Sequence, residues 1–278
     1  MRTIPDKDII NAVRDMCIHA NHYQPGDVKK CLKEGASKED SATAKEVFRQ
    51  ISENIDLAEK TGLPLCQDTG LAVFFVTLGQ DVRVDGNLTE IINEGVRQGY
   101  GEGYLRKSAC HPFTRKNTGD NTPAVIHYDI VPGDKLHISF MAKGGGAENM
   151  SRVTMLAPAE GWEGVKKFVL TRVAESRSNP CPPILIGIGI GGTFEHSAKL
   201  AKLALMRKVD DVNPDPDLAA KEKELLELVN KLNIGPMGLG GKQTALALKM
   251  LTSPCHIASF PLAVNIQCHS SRHEEVEL

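Results

Sequence analysis

Close cysteine pairs are missing from this chain. Its seven cysteines stand at 17, 31, 66, 110, 181, 255 and 268, with no C-x2–4-C spacing among them, which argues against a zinc module. An odd number of cysteines in a chain of 278 residues also makes a disulfide framework a poor reading. A charge excess of either sign is missing as well: 33 Lys and Arg against 35 Asp and Glu leave a net charge of -2, with no basic stripe for nucleic acid or an acidic membrane surface. No apolar run reaches the length of a membrane span. The start, MRTIPDKDIINAVRDM, mixes acids into an amphipathic helical pattern and lacks a signal-peptide core and cleavage site, so a cytoplasmic protein is expected. Repeats, low-complexity tracts and flexible linkers are absent too. What is present is ordinary globular composition, 41% hydrophobic and 24% charged, long enough for one large core or two smaller ones.

The order of patterns predicts an α/β fold of the mixed kind: a mixed β-sheet flanked by helices, in one or two lobes, after a helical N-terminal region of about 1–62. Ile9, Ile10, Val13, Met16 and Cys17 recur at helical spacing, Pro25-Gly26 opens a second helix, and Ser37 with Asp40 reads as a capping box for a helix reaching about Glu59. Strands are predicted at 71–79, 124–131, 135–142, 182–190, 244–252 and 260–267, with helices at 89–100, 161–176, 195–208 and 217–232. The Pro132-Gly133-Asp134 turn predicts that 124–131 and 135–142 form a hairpin. A single domain over 1–278 is expected, with an internal joint near 213–217.

Three cysteines sit in glycine- or proline-marked segments: Cys66 in LPLCQDTG, Cys181 in SNPCPP and Cys268 in VNIQCHSSR. Three thiolates on separate tight turns point to one metal centre, and three ligands would leave one iron of a cubane cluster open to substrate, where four would suit electron transfer. Taken singly, each has a plain alternative: a polar turn, a surface loop, a small buried residue at a strand end. The prolines after Cys181 fix φ and remove two donors, and Arg272 could stabilise a thiolate or hold an anion. Lys143-Gly144-Gly145-Gly146 reads as close backbone approach to a ligand, with a mobile loop as the alternative. Gly187-Ile-Gly189-Ile-Gly191-Gly192 satisfies the dinucleotide fingerprint, although packing glycines on a strand explain it better. Gly238 to Gln243 fails as a phosphate loop but leaves Lys242 as a candidate anion contact, and His269, His273, Cys255 and Cys268 form a weak zinc alternative. His256 is the histidine best placed for substrate contact.

Together CQDTG, the Tyr104-Leu-Arg106 step, AKGGG, CPP, GIGGT, LGGK and Cys268 twelve residues after His256 resemble the amino-terminal half of class I (iron–sulfur) fumarate hydratases, and more closely the separate alpha subunit of the two-subunit fumarase and L(+)-tartrate dehydratase family. The resemblance implies a hydro-lyase of the tricarboxylic acid cycle type that hydrates fumarate to (S)-malate, with L(+)-tartrate dehydration as the alternative. It implies a 4Fe-4S cluster with one iron not ligated by protein, held by Cys66, Cys181 and Cys268. By motif position, Gln67, Arg106, Gly146 and His256 match substrate-binding positions and Asp68 a catalytic one. The family's proposed base and further cationic contacts lie in a carboxy-terminal half with no counterpart here, which implies a beta subunit, an assembly of the α2β2 type and an inactive isolated chain. The ten residues after Cys268 agree with an iron site that a second subunit closes. A nicotinamide-binding dehydrogenase and a non-catalytic scaffold are the alternatives from other classes.

Overall fold

The computed structural model describes residues 1–278. In chain order its elements are β1 (Arg2–Thr3), α1 (Asp6–His22), α2 (Gly26–Lys38), α3 (Ala42–Thr61), β2 (Leu71–Gly79), β3 (Val82–Arg83), α4 (Leu88–Glu102), β4 (Val125–Val131) and β5 (Leu136–Lys143). There follow α5 (Gly145–Glu148), β6 (Arg152–Leu156), α6 (Gly161–Ser176), β7 (Ile184–Gly191), α7 (Phe194–Ala204), α8 (Pro216–Asn230), β8 (Ala245–Ser253), β9 (Phe260–Gln267) and β10 (His273–Glu277). The mixed α/β class is as expected. The chain divides into two compact units, the first made of Met1–Pro25, Ile55–Gly145 and Arg272–Leu278, the second of Gly26–Asn54 and Gly146–Ser271. Residues 213–217 lie inside the second unit, where Asp215 caps α8 by accepting from the Asp217 and Leu218 N–H groups.

The first unit is built on a sheet in the order β10-β5-β2-β4, with β2 parallel to β4 and antiparallel to β5. The expected 124–142 hairpin does not form, because β2 lies between its two strands. The turn at Pro132–Asp134 is used differently: Gly79, Gln80 and Asp81 donate to the carbonyls of Lys135, Val131 and Gly133, so the end of β2 threads between the arms. LAVFFVTLG is the most apolar strand of this unit, and a central place buries it most completely. Over one face lie α1 and α4, with Ile9, Val13, Cys17, Ile92, Val96 and Tyr100 meeting Phe74, Val76, Ile138 and Phe140. The helices approach closely because α4 carries glycines there: a Cβ on Gly95 would stand 2.6 Å from Val13 Cβ.

The second unit has a sheet in the order β6-β9-β7-β8, with β7 parallel to β8 and antiparallel to β9. Ile184, Ile186 and Ile188 face α6 and α8, while the alternate residues Gly187 and Gly189 face α7. A Cβ on either glycine would stand 2.0 Å from a carbonyl oxygen of α7, that of Ala201 or Ser197. The fingerprint pattern is therefore helix–strand packing, and the nucleotide reading is corrected. Ser37 is corrected too: its hydroxyl donates to Glu34 O inside the last turn of α2, and Ser41 Oγ, accepting from Ala44 N, begins α3. The sequence reading missed β6 and β10, whose RVTML and HEEVE are each only five residues long, the second mostly charged.

Candidate active site

In the first unit, the segment leading into β2 is held through several of its backbone polar groups. Leu65 N donates to Asn21 O at 2.9 Å, and Arg272 donates to Asp68 O and to Asn21 Oδ1. The Tyr100 hydroxyl lies 2.8 Å from Thr69 O and 3.2 Å from Gly70 O, Asn121 Nδ2 donates to Gly70 O, and Thr69 Oγ1 donates to Arg106 O. Tyr100 and Arg272 are fully buried, and burial pushes the Tyr100 phenol well above its ordinary pKa, so it remains a proton donor. Gly70 has a φ of +73°, and a Cβ there would stand 2.7 Å from the Lys143 backbone, so only glycine fits.

This support leaves specific groups outward. Cys66 is free and half-buried, with Sγ 3.4 Å from Oε1 of the exposed Gln67. The Asp68 carboxylate accepts from Gly70 N at 3.0 Å and from Gly145 N at 2.9 Å. The glycine run after β5 was expected to bring backbone close to a ligand, and in this unit its Gly145 N–H meets the Asp68 carboxylate. Arg106 is exposed, and its side chain makes no hydrogen bond or ion pair.

In the second unit, Cys181 and Cys268 come to one end of the sheet. Cys181 precedes β7 in a left-handed conformation (φ +54°), its N–H bonded to Ser178 O; Pro182 O accepts from Met237 N at 2.7 Å. Cys268 follows β9, whose Gln267 pairs with Leu185 at the start of β7, and His269 Nδ1 lies 2.9 Å from Cys181 O. Gly146 belongs with them: a Cβ on it would stand 3.1 Å from Asn179 O. His256 does not. It lies in the exposed loop between β8 and β9, and the Gly192 N to Pro254 O bond fixes that loop at the far end of β7. Eight residues of β9 separate it from Cys268, roughly 25 Å of strand.

The same register removes the zinc alternative, since Cys255 shares the His256 end. Lys242 is corrected as an anion contact, because its ammonium pairs with Asp40 and its N–H with Glu39. Sequence reasoning missed Tyr100 and Asn121 as supports of the Cys66 segment. The fingerprint of the first lay in the helical face it shares with Val96, that of the second nowhere.

The fumarate hydratase (Fumerase) family model matches residues 10–277. A Methanocaldococcus jannaschii chain provisionally named L(+)-tartrate dehydratase subunit alpha is 42% identical over 271 residues, covering 95% of each chain. L(+)-tartrate dehydratase subunit alpha of Escherichia coli strain UTI89 is 34% identical over 252 residues, 89% of this chain and 83% of that one; the strain K12 protein is 33% identical over the same length. With its match running nearly end to end, the chain belongs to the fumarate hydratase family.

Proposed function

We propose that this chain is the cluster-bearing alpha subunit of a hydro-lyase that interconverts (S)-malate and fumarate. Family membership carries the hydro-lyase chemistry. The observation that carries the finer reading is the donor set: Cys66, Cys181 and Cys268 are all outside any disulfide, half-buried and placed at turns or bends. Cys66 belongs to the first unit and Cys181 and Cys268 to the second, and no three His, Cys, Asp or Glu side chains within either unit form a metal site. Thiolate chemistry fits a 4Fe-4S cluster held by these three residues. When bound, such a cluster with one iron free of protein ligands supplies a Lewis acid for the departing hydroxide.

The chain's own residues would do the rest of its share. Arg106, with no protein partner, offers a planar fork to a substrate carboxylate. Gln67 and the backbone at Gly146 add polar contacts. Asp68, its two oxygens oriented by Gly70 and Gly145, assists proton transfer at the adjacent carbon. His256 stands a strand length from Cys181 and Cys268, so a substrate contact from it requires a different copy of the chain. The relatives are named as alpha subunits, which supports a separate beta chain that completes the site in an α2β2 assembly. A cytoplasmic setting agrees with the lack of any helix long and apolar enough to cross a membrane.

L(+)-tartrate is the second reading, favoured by the names of the relatives. Coexpression with the beta chain, anaerobic reconstitution and a dehydration assay on (S)-malate and L(+)-tartrate separate the two. Malate turnover at the higher kcat/KM supports the first reading, tartrate turnover the second. A colourless protein that dehydrates neither overturns both.

A further inference from the structure

β4 is the outermost strand of its sheet, with β2 on one side and no strand on the other. Its sequence, Val-Ile-His-Tyr-Asp-Ile-Val, has no lysine, proline or glycine, the usual protections of an open edge. Val125, Tyr128, Ile130 and Val131 are exposed, Ile130 by 67%. His127 stacks on Phe75 at 5.2 Å, whereas the Tyr128 hydroxyl meets Thr89 at the start of α4, so His127 and Asp129 share the face opposite Ile126, Tyr128 and Ile130.

The strand reads the same from either end, except that His127 answers Asp129. We propose that β4 pairs antiparallel with β4 of a second copy of this chain, across a two-fold axis through Tyr128. That register sets Val125 against Val131, Ile126 against Ile130 and, twice by symmetry, His127 against Asp129. Registers that keep the same faces together but centre elsewhere lose this match. Centring on Asp129 opposes two carboxylates, and centring on His127 opposes two imidazoles and leaves Asp129 against Val125. An unrelated strand has no reason to match such a palindrome, which is why a second copy is the occupant. The inference does not depend on the proposed activity.

Sedimentation of the full chain tests it. A two-copy species is expected, with His127→Asp raising its dissociation constant by about tenfold or more and the exchange His127→Asp with Asp129→His restoring it. Loss of fold alone would not be rescued by that exchange. Ile130→Lys, on an already exposed side chain, should give single copies with unchanged circular dichroism. A chain that is monomeric throughout, a dimer indifferent to all three variants, or association only with a different chain would overturn the proposal.

Discussion

Tyr100 shows how one hydroxyl can organise a site from below. Its ring belongs to the core, and its oxygen lies against the two carbonyls that follow Asp68. Tyr100→Phe leaves those carbonyls with one buried donor fewer, and a loss of about 1–2 kcal/mol in urea unfolding is expected. If the Asp68 segment is catalytic, kcat should fall with little change in KM in the assembled enzyme, whereas a purely structural role would leave both unchanged in the folded fraction. The sequence made Cys66, Asp68 and Gly70 legible, because a cysteine, an acid and a glycine in five residues before an apolar strand have few reasons to coincide. Tyr100 was legible only as a face of a helix. Periodicity tells which side is buried and says nothing about what a buried oxygen meets 30 residues away in the chain. Arg272 was expected to stabilise a thiolate or hold an anion; in the fold its Nη1 donates to Asp68 O and Asn21 Oδ1.

Among the elements, the connection between α7 and α8, α8 itself and β8 are joined by a charged network. Glu222, buried, accepts from Arg207 Nη1 at 2.6 Å, Asn213 Nδ2 at 2.8 Å and Met250 N at 2.7 Å; Asp211 pairs with both Arg207 and Lys249. Glu222→Ala would leave the buried Met250 N–H without its acceptor and Arg207 with Asp211 as its one remaining carboxylate, and about 1–3 kcal/mol of stability should go, read from the denaturant midpoint. Burial pushes the Asp211 carboxyl up, but hydrogen bonds from Arg207 and Lys249 outweigh it and hold the pKa below the ordinary value of 3.8. A depressed carboxyl pKa gives stability that is complete above the unfolded-state value and is lost as pH falls toward the folded one. The melting temperature should therefore drop below roughly pH 4, and Asp211→Asn should flatten that acid limb. Elements of this kind were readable one by one, since apolar period and turn residues are local. Strand order was not, because a tight turn at Pro132–Asp134 permits a hairpin without demanding one, and the burial of β2 decided the pairing.

For the whole molecule, the telling placement is that of His256, a strand length from the two cysteines of its own unit. If it serves the site of another copy, coexpressing Cys181→Ser chains with His256→Ala chains should recover activity that neither shows alone, up to about a quarter of wild type for randomly mixed two-copy assemblies. Assembled mixtures that stay inactive would remove His256 from the site. This feature was beyond the sequence, since spacing to Cys268 is the same whichever copy it serves.

The division of the chain also carries a temporal consequence. Arg272 and β10 belong to the first unit but are synthesised after the whole of the second. The Cys66 segment therefore emerges early from the ribosome and acquires its last support late, once Cys181 and Cys268 have both been translated. Vectorial synthesis thus keeps the first thiol on an unfinished scaffold until all three exist.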